Sequence, residues 1–139
     1  MKNKIRLGIL GGGGDSLIGI VHRIASSMHD SYEIIGGVFN PDYNENIKFA
    51  EEIGLSKNRV YSDYETMINE ELKLDESERI QVVSILTPNF LHFPMAKKLL
   101  ENNFNVICEK PMTTTYKEAQ VLESLYKSKS LTFAVTYTY

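Results

Sequence analysis

Short apolar runs alternate with amphipathic stretches from one end of the chain to the other. The runs at 4–10 (KIRLGIL), 32–39 (YEIIGGVF), 80–86, 104–108 and 131–135 predict β-strands, with a weaker candidate at 59–61. Between them the spacing predicts helices over about 17–29, 44–53, 63–72, 93–102 and 115–128. Leu17, Val21, Ile24 and Met28 recur at i, i+4, i+7 and i+11, the period of one buried helix face. Ile47, Ala50 and Ile53 repeat the pattern ahead of Gly54, a residue suited to follow a helix end. Thr115 and Glu118 have capping-box spacing, and Ala119, Leu122 and Leu125 then supply the apolar stripe.

Strands alternating with helices of this length imply an α/β fold. The expectation is a doubly wound, mostly parallel sheet of about six strands with helices on both faces. Val82, Val83, Ile85 and Leu86 form a nearly unbroken apolar run, as expected of a strand covered on both sides. Ligands of such sheets gather at the carboxyl ends of the strands, which directs attention to residues 11–16, 40, 87–92 and 109–111.

The 139 residues make about one domain. A formal charge of −3 offers no basic stripe for nucleic acid. No apolar run approaches the ~18 residues of a membrane span. Lys2, Lys4 and Arg6 precede an apolar stretch that glycines and Asp15 cut short, which makes a poor signal peptide. The single cysteine, Cys108, forms no internal disulfide, so a cytoplasmic setting is expected, with Cys108 as a buried strand residue. His22, His29 and His92 lack the spacing of a metal site.

Four glycines, Gly11 to Gly14, separate the first strand from the first helix. In a nucleotide-binding turn, Gly11 supplies the tight bend and Gly13 lets the backbone approach a pyrophosphate. Ser16 is placed to cap the helix, and Gly19 to let helix and strand pack closely. The turn is about three residues longer than G-x-G-x-x-G, and Asp15 must point away from any phosphate. Taken alone, the run also fits a flexible joint. The second strand ends in Asn40 where NAD-binding units usually carry an acid. Asp42 is more simply a turn residue, Arg23 is a remote candidate for a 2′-phosphate, and NAD against NADP stays open.

Two further strand ends carry unusual residues. In TPNFLHFP (87–94), Pro88 ends the strand and Pro94 belongs in the first turn of the next helix. Asn89 and His92 are then expected in the loop facing the cleft, unless they serve as a turn residue and a surface imidazole. In NVICEKP (105–111), Glu109, Lys110 and Pro111 follow an apolar run where a parallel sheet presents its chemistry.

The glycine turn, TPNFLH and EKP, each at an expected strand end, together resemble the N-terminal Rossmann domain of the glucose–fructose oxidoreductase, inositol dehydrogenase and rhizopine-catabolism (Gfo/Idh/MocA) family. The resemblance covers essentially residues 1–139. It implies that Gly11, Gly13 and Ser16 line the pyrophosphate of NAD or NADP and that Asn40 lies beside the adenosine ribose. It implies that Thr87, Pro88, Asn89 and His92 flank the cofactor, that Glu109 bonds the nicotinamide ribose, and that Lys110 sits by the nicotinamide and the substrate hydroxyl. A free lysine, with a pKa near ~10.4, is a poor base; burial and a cationic ring both disfavour its charge, which suits Lys110 to proton transfer.

The resemblance implies an NAD(P)-dependent oxidoreductase acting on a carbinol of a sugar, polyol or related small molecule, with a homo-oligomer possible for the whole enzyme. Family members continue into a β-rich substrate domain that this chain lacks, and Tyr137 stands where a histidine is common. The fragment alone is therefore expected to be inactive, whether it is an excised domain or a natural short protein. A non-catalytic dinucleotide-binding or sensing module is the alternative. A methyltransferase fits less well, because Asn40 is no acid and EKP is present.

Overall fold

The computed structural model describes residues 4–137. Five strands form one parallel sheet: β1 (Ile5–Gly11), β2 (Tyr32–Val38), β3 (Val82–Leu86), β4 (Asn105–Glu109) and β5 (Phe133–Thr136). Their order across the sheet is β2-β1-β3-β4-β5. Helix α1 (Leu17–Ser27) follows β1, α2 (Tyr43–Glu52) and α3 (Tyr64–Glu71) join β2 to β3, α4 (His92–Glu101) follows β3, and α5 (Tyr116–Ser128) follows β4.

The doubly wound sheet is as expected, with one strand fewer. Segment 59–61 is instead the end of a short 3-10 turn, Lys57–Arg59, and touches the edge of β2 through a single bridge between Gly37 and Val60. Asp63 already caps α3, so the chain turns away before a ladder grows.

Alternation along the strands splits the core in two. Leu7 and Ile9 face α1 and α2 together with Phe39, Phe49 and Ala50. Leu10, Val83, Ile85 and Val106 face α3, α4 and α5, where Met67, Leu99, Leu100 and Leu122 close over them. The local signals operate as expected. Gly54 adopts φ +76° beyond α2, and Thr115 and Glu118 form a complete capping box on α5.

Helix α1 departs from expectation. Leu17, Val21, Ile24 and Met28 are 77, 39, 58 and 69% exposed, so the apolar stripe faces outward. The cause is Gly19, the buried residue of this helix. A Cβ at Gly19 would lie 1.8 Å from the Gly12 carbonyl oxygen. Backbone therefore rests on backbone, and the side of the helix holding Gly19, Ile18 and His22 is drawn down onto the sheet. The helix also ends at Ser27, which leaves His29 exposed beyond it.

Gly19→Ala is accordingly expected to cost about 3 kcal/mol or more, because the obstruction is backbone and the helix must move. Gly14, at φ +55° with nothing within 4 Å of a Cβ, carries only the left-handed backbone cost, so Gly14→Ala is expected to lose about 1 kcal/mol. Urea denaturation of the two variants checks the contrast; similar midpoints would contradict it.

Candidate functional site

The connections leaving β1 and β3 run to opposite sides of the sheet, which opens a crevice at the carboxyl ends of these two neighbours. Two clefts occupy it. One of about 670 Å³ lies between the glycine turn, the end of β2 and the start of α3. The other, about 430 Å³, lies between the start of α1, the end of β3 and Glu109–Lys110. Leu86 and Thr87 line both, so the two make one continuous groove. Gly11, Gly13, Ser16, Asn40 and Pro88 line the larger half; Asn89, His92, Glu109 and Lys110 line the smaller. Residues expected from four separate strand ends thus share one site.

The glycine turn is a built structure and not a loose joint. Gly11 and Gly12 take φ +85° and +68°, which lets the chain reverse before α1. Ser16 caps the helix, its Oγ accepting from the Gly19 amide at 3.2 Å. At Gly13 the close approach is to the protein itself: a Cβ would lie 2.6 Å from the Phe39 carbonyl oxygen, to which the Gly13 amide donates at 3.1 Å. Asp15 is exposed at the rim. Arg23 is committed elsewhere than to a phosphate. Its Nη1 donates to the Gly12 carbonyl at 2.6 Å, and its guanidinium lies over the Phe49 ring at 4.9 Å.

At the end of β2, Asn40 Oδ1 accepts from the Asp42 amide at 2.9 Å, which leaves the Asn40 amide group as a donor. Asp42 is the N-cap of α2, accepting from the Asn44 and Glu45 amides. Behind them sits Asn46, fully buried, which the motifs do not single out. It accepts from the Phe39 amide and donates to the Tyr61 carbonyl, each at 2.7 Å, riveting together the two walls of the larger cleft. A polar residue three and four positions before buried Phe49 and Ala50 is the signal that could have revealed it.

His92 opens α4 and is buried, not in an open loop. Its Nδ1 lies 2.7 Å from the Pro111 carbonyl oxygen and its Nε2 2.8 Å from that of Thr87. A neutral ring donates to one of these, and the imidazolium to both. Both nitrogens thus face carbonyls of the two strand-end loops, and the cleft receives the ring alone.

Glu109 is 6% exposed. Burial opposes its charge, but hydrogen bonds from Thr136 and His22, with the Lys110 amide, outweigh that and hold its carboxyl below the usual range. Lys110 follows at the cleft wall, its peptide bond to Pro111 cis. Cys108 is inert by comparison: burial and the neighbouring Glu109 charge push its thiol up to about 12. Among the described residues, no group of three or more His, Cys, Asp or Glu side chains could hold a metal ion. No described helix is long and apolar enough to cross a membrane.

Residues 5–137 match the Gfo/Idh/MocA family, described as "Oxidoreductase family, NAD-binding Rossmann fold". The chain belongs to this family. It is 35% identical over 138 residues to the uncharacterized oxidoreductase YfiI of Bacillus subtilis, covering 99% of this chain and 35% of that protein. An inositol dehydrogenase homolog of Azotobacter vinelandii, solved with NADH and myo-inositol, superposes with a TM-score of 0.93 at 34% identity, over 97% of this chain and 35% of the other. An oxidoreductase of Pseudomonas syringae gives a TM-score of 0.94 at 34% identity, over 99% and 37%. The chain thus spans about a third of the length of the relatives it matches. It is an NAD-binding Rossmann domain of an oxidoreductase family, which sets the methyltransferase reading aside.

The Glu109 environment has a measurable consequence. Its folded-state pKa is lowered, so its stabilisation is present above the unfolded carboxyl value of about 4.3 and is lost as pH falls through the folded value. The stability gap between the native chain and Glu109→Gln, read as urea midpoints, is expected to be open at pH 6 and to close toward pH 3. A gap independent of pH would show that the carboxylate carries no such stabilisation.

Proposed function

We propose that this domain is the cofactor-holding part of an enzyme that transfers hydride between NAD and a carbinol carbon of a sugar or polyol. The observation that carries the reading is the convergence of Glu109 and Lys110 with the first residues of α1 on one cleft, continuous with the glycine turn. The fit to a dinucleotide rests on that turn. Its bend runs through left-handed glycines, and the helix behind it is capped by Ser16 and aims its positive end at the groove.

Each wall has a task. The first amides of α1 hold the diphosphate, and the Asn40 amide donates to the adenosine ribose. The apolar faces of Leu86 and Pro88 exclude water along the groove. When bound, the nicotinamide supplies a two-electron acceptor or donor of hydride. Lys110 Nζ holds the proton that leaves or rejoins the substrate oxygen, and Glu109 fixes the neighbouring ribose. A sugar or polyol substrate is supported by the myo-inositol bound to the Azotobacter homolog.

The groove favours NAD over NADP. Among the described residues, no lysine, arginine or histidine lines its larger half, where Asp63 contributes a carboxylate. Hydrogen bonds from the Thr66 amide and hydroxyl and from Ser62 overcome burial and keep Asp63 ionised. A 2′-phosphate there would meet no counter-charge among the described lining residues, and Arg23 is engaged with Gly12 and Phe49.

Calorimetry on the 139-residue chain tests the reading. NADH is expected to bind, NADPH about tenfold more weakly or worse, each tenfold being about 1.4 kcal/mol, and no dehydrogenase turnover is expected. Equal or tighter NADPH binding would reverse the cofactor preference, and binding of neither would remove the function. Where the domain is joined to a substrate domain, Lys110→Ala is expected to lower kcat about 10²–10⁴-fold with little change in cofactor affinity.

A further inference from the structure

Glu109 is gripped from two other elements of the fold and by the amide of the residue that follows it. Its Oε1 accepts from Thr136 Oγ1 on β5 at 2.6 Å and lies 3.0 Å from His22 Nε2 on α1. Its Oε2 accepts from the Lys110 amide at 3.2 Å. The other ring nitrogen of His22, Nδ1, lies 3.1 Å from Ser84 Oγ on β3.

Two arrangements of protons satisfy every contact. With a neutral ring the Ser84 hydroxyl donates to Nδ1 and the Nε2 proton goes to the Glu109 carboxylate. The imidazolium donates from Nδ1 to the Ser84 oxygen and from Nε2 to Glu109. The side chains of His22 and Glu109 are only 12% and 8% exposed, and Ser84 is buried, so water competes little for these bonds. A buried carboxylate without such donors would be costly. A histidine that merely filled space beneath α1 would need neither a hydroxyl at one nitrogen nor an anion at the other.

We propose that His22, oriented by Ser84, is a positioning residue that fixes the direction of the Glu109 carboxylate and, through the Lys110 amide, the turn that presents Lys110 to the nicotinamide half of the groove. This rests on the functional reading above. The ring reaches Glu109 because Gly19, one turn earlier on the same face of α1, lies against Gly12. The helix whose start faces the diphosphate thereby aims the opposite, reactive end of the site.

The test compares NADH with ADP, which keeps the adenosine and the diphosphate but lacks nicotinamide and its ribose. His22→Leu is expected to weaken NADH binding about tenfold while ADP affinity stays within about twofold. An unchanged NADH affinity, or equal weakening of both ligands in a folded variant, would overturn the proposal. If circular dichroism shows that leucine costs the fold, Ser84→Ala decides, since it removes the orienting hydroxyl and little bulk. It should then show the same selective loss, about threefold, and no selective loss overturns the proposal. Failure of the functional reading would look different, because the native chain would then bind neither ligand.

Discussion

The contact between Gly19 and the Gly12 carbonyl sets the height of α1 above the sheet, and the groove follows from that height. A side chain at either position would lift the helix. Its positive end would then leave the crevice between β1 and β3, and His22 would lose Glu109. The same Gly12 carbonyl accepts from Arg23, whose guanidinium lies over Phe49 of α2. One backbone oxygen thus meets α1 directly and is braced toward α2 through a stacked cation. The turn gains its rigidity from these contacts, although its four glycines alone would make it the softest segment of the chain.

Charge is distributed along the groove to match that frame. At one end Asp42 and Asp63 are both occupied as helix caps, so their negative charges are met by backbone amides. At the other end Glu109 and Lys110 are neighbours in sequence, and burial makes any interaction between their charges stronger than it would be in water. Two histidines hold this end from opposite faces of the sheet. His22 meets the Glu109 carboxylate from α1, while His92 meets the Pro111 and Thr87 carbonyls from α4. The turn that carries Lys110 is therefore held on both sides by imidazole rings.

Much of this was legible in the sequence, for definable reasons. Strands buried on both faces read as apolar runs, and caps such as Thr115–Glu118 are local chemistry, so the element order could be derived from spacing. EKP and TPNFLH stood out because polar residues at the ends of apolar strands have no packing explanation. The partners of those residues did not stand out. His22, Ser84 and Thr136 lie far along the chain from the groups they hold, and a single hydrogen bond leaves no period. The weak strand at 59–61 failed because Val60 has the composition of an edge strand, while the capped start of α3 leaves it room for one bridge.

The stripe on α1 shows how a correct period can be assigned to the wrong face. Periodicity establishes that a helix has an apolar side, not which neighbour that side meets. Here the smallest residue, and not the largest, decided the side laid on the sheet. The displaced stripe is partly used all the same. Leu17 and Val21, with Ile18, line the smaller cleft opposite Glu109 and Lys110. An apolar wall there lowers the local dielectric and strengthens each charge interaction inside the cleft. The same turn of helix thus supplies backbone polarity at its start and an apolar wall along its flank, and Lys110 lines the cleft that this wall bounds.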